Sequence, residues 1–412
     1  MAPLEVVKVG KASSLRLQDC IVEAEGSVIE VSGKVYCSGD CIFTAPLKAR
    51  SLASRGGDIE VQGSLRVKRG ITVRDGSLIV AGDVEASSIS VDRSMRAKGA
   101  KAEDISVGRR LKASWAEADI MDIGSVVDCR RLHARSLRVR GYVKAVELRA
   151  ESLDVGGAVS CSHLAADSVD VGGSIAASEA EVYKMSVGNT VEVKGMLKAT
   201  ILRVGGGARV GGGEVEKLSV GGALRSSGSL KLGSADVGGA LRAQGKIEVN
   251  YASIGGLLEA EAIDSSGKIS VGGFVKASKW IKAGALSVGG AAEARYIMAK
   301  SISATSLLSD YARAELIEVK RRGRACGTLV ADEVYLEDRV EADVVYAGTL
   351  EAEEWCTIRE AHASHITLGD YTRVLGPLEY TEELKLGSQV KLATKPRRVG
   401  EIKFPKPPEL GG

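Results

Sequence analysis

Leu218-Ser219-Val220-Gly221-Gly222-Ala223-Leu224-Arg225-Ser226 is followed, 17 residues on, by Ala235-Asp236-Val237-Gly238-Gly239-Ala240-Leu241-Arg242-Ala243. The same Val-Gly-Gly stands at Val155, Val171, Val204, Val271 and Val288, with degenerate copies at Val91, Val107, Ile123, Val139, Val187 and Ile254. From 91 to 288 the gaps are 16, six times in a row, then 17, 16 and four of 17. A period so short and so constant describes stacked turns of one solenoid rather than a string of globular domains.

With the motif Val (or Ile) as position 0, apolar residues recur in pairs two apart. One pair is −2 and 0 (Leu153/Val155, Leu218/Val220, Ile269/Val271). A second is +4 and +6, where +6 is small (Val143/Ala145, Leu241/Ala243, Val275/Ala277). A third falls at +9 and +11 (Leu132/Ala134, Leu164/Ala166, Ile297/Ala299) or, in most 17-residue turns, at +10 and +12 (Leu230/Leu232, Ile247/Val249, Ile281/Ala283). Spacing of two is the strand signature, with Lys, Arg, Glu, Asp and Ser filling the outward positions. The fold class is therefore all-β, a single long three-sided β-helix (β-solenoid) of 16 to 17 residues per turn. Its expected core includes Val155, Val171, Val204, Val220, Val237, Val271, Val288, Leu224, Leu241 and Val275. With only three Phe and three Trp, the core must be stacked aliphatics. Roughly twenty to twenty-four such turns at about 4.8 Å each predict a rod on the order of 100 Å.

The glycines at +2 (Gly157, Gly173, Gly206, Gly222, Gly239, Gly256, Gly273 and Gly290) read as corner residues, where a tight turn calls for positive φ. A phosphate-cradle reading of Gly205-Gly206-Gly207 or Gly211-Gly212-Gly213 fails for want of a strand feeding a helix N-terminus and of the accompanying Lys and Ser/Thr. Four segments follow. Residues 1–90 carry the repeat in looser register and 91–307 carry it regularly. Residues 308–392 are irregular strand-rich turns or a cap. Residues 393–412, with Pro396, Pro405, Pro407 and Pro408 and no repeat, are expected to be disordered.

Charge is balanced, 56 basic against 53 acidic residues, unlike a dedicated nucleic-acid binder, so no specific nucleic acid is expected. No apolar run reaches the length of a membrane helix. Met1-Ala2-Pro3-Leu4-Glu5 lacks the basic and apolar regions of a secretion signal, so the expected location is cytoplasmic, with membrane association open. The scarcity of amides, two Asn and four Gln, points to a thermophilic source.

Candidate sites are few. Cys129 and Cys161 occupy the small inward +6 slot and read as buried thiols. Cys20, Cys37 and Cys41 read as core, with a disulfide between stacked turns as the alternative. Cys356, His362 and His365, with Glu360 and Asp370, are the weak metal candidates, because His-x-x-His on a strand sends its rings to opposite faces. No catalytic residue and no cofactor is expected. Arg130, Arg131, Arg135, Arg138 and Arg140, and again Arg321, Arg322 and Arg324, read as solvated faces rather than a phosphate stripe. Lys395, Arg397, Arg398, Lys403 and Lys406 in the tail offer contacts to a membrane surface or a protein partner.

The Val-Gly-Gly corner followed by Leu-x-Ala and Ile-x-Ala, at about 17 residues per turn over residues 26–310, resembles the bactofilin family. The resemblance implies a right-handed β-helix and a non-enzymatic cytoskeletal scaffold that polymerises end to end without nucleotide. The chain has several times more turns than the usual member and lacks a Phe-rich terminal turn. Its expected partner is another copy of itself. Two other readings stand beside this one: a capped solenoid that docks other polymers on its flat faces, and a hexapeptide-type acyltransferase. The second is disfavoured by its eighteen-residue period and by the absence of His between 166 and 361.

Overall fold

A computed structural model describes residues 5–407. Among them every regular element is a β-strand, and every inter-strand pairing is parallel. The chain is a β-solenoid repeat of about 25 turns. It divides between Gly205 and Gly206 into two units.

In the N-terminal unit the motif positions stack like on like. Val91 stands opposite Val107, Val107 opposite Ile123, and the column continues through Val139, Val155 and Val171 to Val187. Leu132, Leu148 and Leu164 form a second column. The C-terminal unit repeats this with Val220, Val237, Ile254, Val271 and Val288, and with Leu224, Leu241, Leu258 and Val275. All ten core residues named above are buried. Each buried Val or Leu contributes about 1.5–3 kcal/mol relative to an exposed one, so the columns carry the stability that bulky aromatics supply elsewhere.

Spacing varies where the strands bulge. Glu5 pairs with Cys20, Leu15 with Val35 and Ile29 with Leu47, offsets of 15, 20 and 18. The register shifts between Gln18 and Cys20, where Asp19 adopts φ 42°. In the first 17-residue turn the extra residue is absorbed by a shift between Ala177 and Ala180, whose partners are Val193 and Leu197. Residues 308–392 continue as turns: Leu329 pairs with Val345, Val345 with Ala361 and Ala361 with Leu378.

The corner glycines are needed for a reason other than the one the sequence suggested. Positive φ occurs among the glycines only at Gly39, Gly56 and Gly327, so none of the eight corner glycines is left-handed. Their constraint is the turn before. A Cβ on Gly239 would lie 2.8 Å from the carbonyl oxygen of Gly222, and one on Gly222 would lie 2.7 Å from that of Gly206. At these Gly-on-Gly contacts the corner backbones are stacked too closely for a Cβ, while Arg109 and Asn189 occupy the same column in other turns.

The proline-rich segment, read as disordered, is described through Pro407 and has a defined path. Residues Arg397–Arg398 add a short strand beside Glu379 and Tyr380. Val399 N then donates to Tyr380 O, Ile402 is buried, the Phe404 ring lies 6.4 Å from Tyr346, and Tyr311 Oη donates to Pro405 O. The balance of that segment, 408–412, lies outside the described residues, as do residues 1–4.

Two substitutions test these assignments. Val220→Lys places an ammonium in a dry column and should cost several kcal/mol. Lys217→Glu, on the exposed side, should leave thermal unfolding nearly unchanged; equal losses would refute the inward assignment. Gly239→Ala and Gly239→Asn should both destabilise by about 1–3 kcal/mol, because both add a Cβ. Selective tolerance of Asn, which accepts positive φ, would restore the conformational explanation.

Candidate functional site

The third apolar pair of each turn is a Leu (or its equivalent) followed two residues later by Ala or Val. Because the second member is small, the wall sinks there, and the side chains before and after it stand up on either side. In the N-terminal unit this makes one continuous groove of about 1950 Å³. Successive turns each contribute three residues to it, from Lys11-Ala12-Ser13 through His133-Ala134-Arg135 to Glu181-Val182-Tyr183. The floor is a column of small buried residues, including Ala118, Ala134, Ala150 and Val182.

The banks are charged, and neighbouring turns pair along each of them. Lys48 Nζ lies 3.3 Å from Glu30, Arg66 Nε 3.5 Å from Glu85, Lys101 Nζ 3.1 Å from Glu117, and Arg135 3.4 Å from Asp119. All eight side chains are exposed, so each pair contributes only about 0–1 kcal/mol and exchanges readily with an incoming charge. Among the described residues Lys11, Arg50 and Lys68 in the early turns of the groove, and Glu103, Glu151, Asp167 and Glu181 from its middle onward, make no ion pair within 4.0 Å. The groove is thus basic over its early turns and acidic over its later ones.

In the C-terminal unit a neighbouring column is covered over the turns of Tyr311 to Tyr380. Val330, Tyr346, His362 and Glu379 lie between the members of the third apolar pair, as in Leu329/Ala331 and Val345/Ala347, the column that forms one bank of the groove in the N-terminal unit. The segment 399–405 runs back along it, from the turn of Tyr380 to the turn of Tyr311. Beside it the rings of Tyr346 and His362 stack at 4.6 Å and 11°.

The residues suspected of metal binding do not converge. His362 Nδ1 lies 3.1 Å from Glu379, whereas His365 Nε2 lies 3.0 Å from Glu382. Cys356 is buried, its thiol donates to Glu337 O at 3.2 Å, and burial pushes its pKa up to about 11. Asp370 accepts from Ser388 N. Among the described residues no three His, Cys, Asp or Glu side chains are arranged to hold a metal ion. Cys129 and Cys161 are buried, which pushes their pKa values up to about 12 and about 11. Cys20 and Cys41 face each other across adjacent turns with Sγ atoms 3.9 Å apart, and burial raises the Cys20 pKa to about 12. The arginine cluster is interrupted by acids: Arg138 pairs with Asp154 at 3.2 Å, and Arg131 stacks over Glu147. Of the tail cations, Arg397 reaches Glu379 at 3.7 Å and Arg398 Nε donates to Thr381 O, while Lys395, Lys403 and Lys406 are exposed.

Neither the groove nor the strap was identified from the sequence. The signal was present in the outward columns at +10 and +12, whose charges pair turn by turn once the repeat is aligned. No helix of the described residues is long and apolar enough to cross a membrane. Compared with known proteins, the chain matches no family model, no curated protein and no solved structure.

The strap should behave as a docked element. Phe404→Asp removes its aromatic anchor and should speed tryptic cleavage after Arg398 and Lys403, read by mass spectrometry, with little change in the melting of the solenoid. Equal cleavage of the parent and the variant would mean that the strap is not held.

Proposed function

We propose that this chain is a non-enzymatic structural protein, bactofilin-like in its repeat, that assembles end to end through its solenoid without nucleotide. The observation that carries this reading is the first described turn. Strand Glu5–Val9 pairs with Leu15–Ala24, and no strand among the described residues pairs with its other edge. Val7 is only half-buried there, whereas Val22, its partner on the next turn, is fully buried. A further turn laid on that edge would bury Val7 as the turns on either side bury Val22. A parallel strand edge unpaired among the described residues, with a matching apolar column, is a template for another copy. The exposed lysines of the strap are free to hold such an assembly near an anionic surface or a protein partner.

Electron microscopy of the purified chain over a range of concentrations, without nucleotide, tests this. Filaments or paired particles that shorten or disappear in Val7→Lys support end-to-end assembly. Uniform single particles at every concentration, or filaments indifferent to Val7→Lys, would sink it.

A further inference from the structure

We propose that the groove of the N-terminal unit is a docking site for an extended polypeptide segment of a partner protein. The segment carries a basic block toward its N-terminus and an acidic block toward its C-terminus. This inference is independent of end-to-end assembly, since the groove runs along the flank of the turns and not across their ends.

The first argument comes from the occupant that the same face of the repeat already has. In the C-terminal unit residues 399–405 run from Tyr380 past Tyr346 to Tyr311, along the column that forms one bank of the groove in the N-terminal unit. They advance six residues, about 20 Å of extended chain, while passing four strand spacings, about 19 Å. An extended chain running from later to earlier turns therefore matches the rise of this corner. It is held by apolar anchors (Ile402, Phe404) and by hydrogen bonds to its backbone. On the same face of the N-terminal unit the groove, sunk between two charged banks over a floor of Ala and Val, has no occupant from the described residues.

Charge selects the occupant. A uniformly basic segment would be repelled by Lys11, Arg50 and Lys68, and a nucleic acid or another polyanion by Glu103, Glu151, Asp167 and Glu181. The lining also lacks the run of aromatic side chains that stacks bases, with Tyr183 alone at one end. A segment oriented like the strap enters over the late, acidic turns and leaves over the early, basic ones. Its basic block therefore comes first. Ten strand spacings, roughly 48 Å, accommodate about fifteen extended residues.

The test uses fluorescence anisotropy on the full chain with labelled synthetic peptides of about fifteen residues. One has a lysine block, a central Ile-Lys-Phe and a glutamate block, in that order. A second has the two blocks exchanged. The basic-first peptide should bind at least roughly tenfold more tightly, and the preference should shrink as salt rises. The charge-reversing pair Glu151→Lys and Asp167→Lys should remove it, with the melting curve as a control for folding. If that variant does not fold, the salt dependence of the parent decides. Equal binding of both peptides, or binding of neither, overturns the proposal. Tighter binding of a labelled single-stranded DNA or heparin oligosaccharide than of the basic-first peptide also overturns it, assigning the groove to polyanions instead.

Discussion

Everything in this molecule depends on in-register parallel pairing between one turn and the next. Because Val237 sits between Val220 on one turn and Ile254 on the next, each side-chain choice is tested against its own kind one strand spacing away. That is why the core manages with Val, Leu and Ala: a β-branched or γ-branched side chain stacked on its equivalent fills a column without the bulk of an aromatic ring. The same rule bears on the glycines. Where Gly stacks on Gly the corner backbones come close enough that a Cβ would press on the previous carbonyl, whereas Arg109 and Asn189 show that the same corner also accepts larger residues.

The inward half of this arrangement was legible in the sequence, because two-residue spacing and a constant period leave one solution. The burial of Val155, Leu224 and Val275 follows directly from it. The role of Gly239 was not legible. Composition says that a corner needs glycine, but positive φ and close approach leave the same letter in the sequence, and only the position of the Gly222 carbonyl separates them. The proline-rich segment misled for a related reason. Its lack of repeat was read as lack of order, yet an extended strap needs no repeat of its own when the turns beneath it supply one, and Ile402 and Phe404 supply its anchors.

The groove was missed because it resides in the outward columns, which carry no periodic apolar signal. Lys101 and Glu117 are 16 residues apart and look unrelated until the turn is known, yet their charged groups are 3.1 Å apart. The histidines illustrate the opposite error. His362 and His365 are close in sequence and suggest a shared ligand, but on a strand they belong to different columns and meet different carboxylates, Glu379 and Glu382. In a solenoid, chemical neighbours are found one turn away rather than a few residues away.

This geometry separates what holds the fold from what meets other molecules. The inward columns are constrained at every turn, whereas an outward column can change sign along its length without disturbing a single core contact. Lys11, Arg50 and Lys68 give way to Glu103, Glu151, Asp167 and Glu181 along one bank system, while the floor stays small throughout. A gradient of charge over so many turns gives the flank a direction, and a directional flank distinguishes a partner lying one way from the same partner reversed. The open edge of the first described turn and the charge order along the flank are thus separable features, the first made of backbone groups and the second of side chains that the core leaves free to vary.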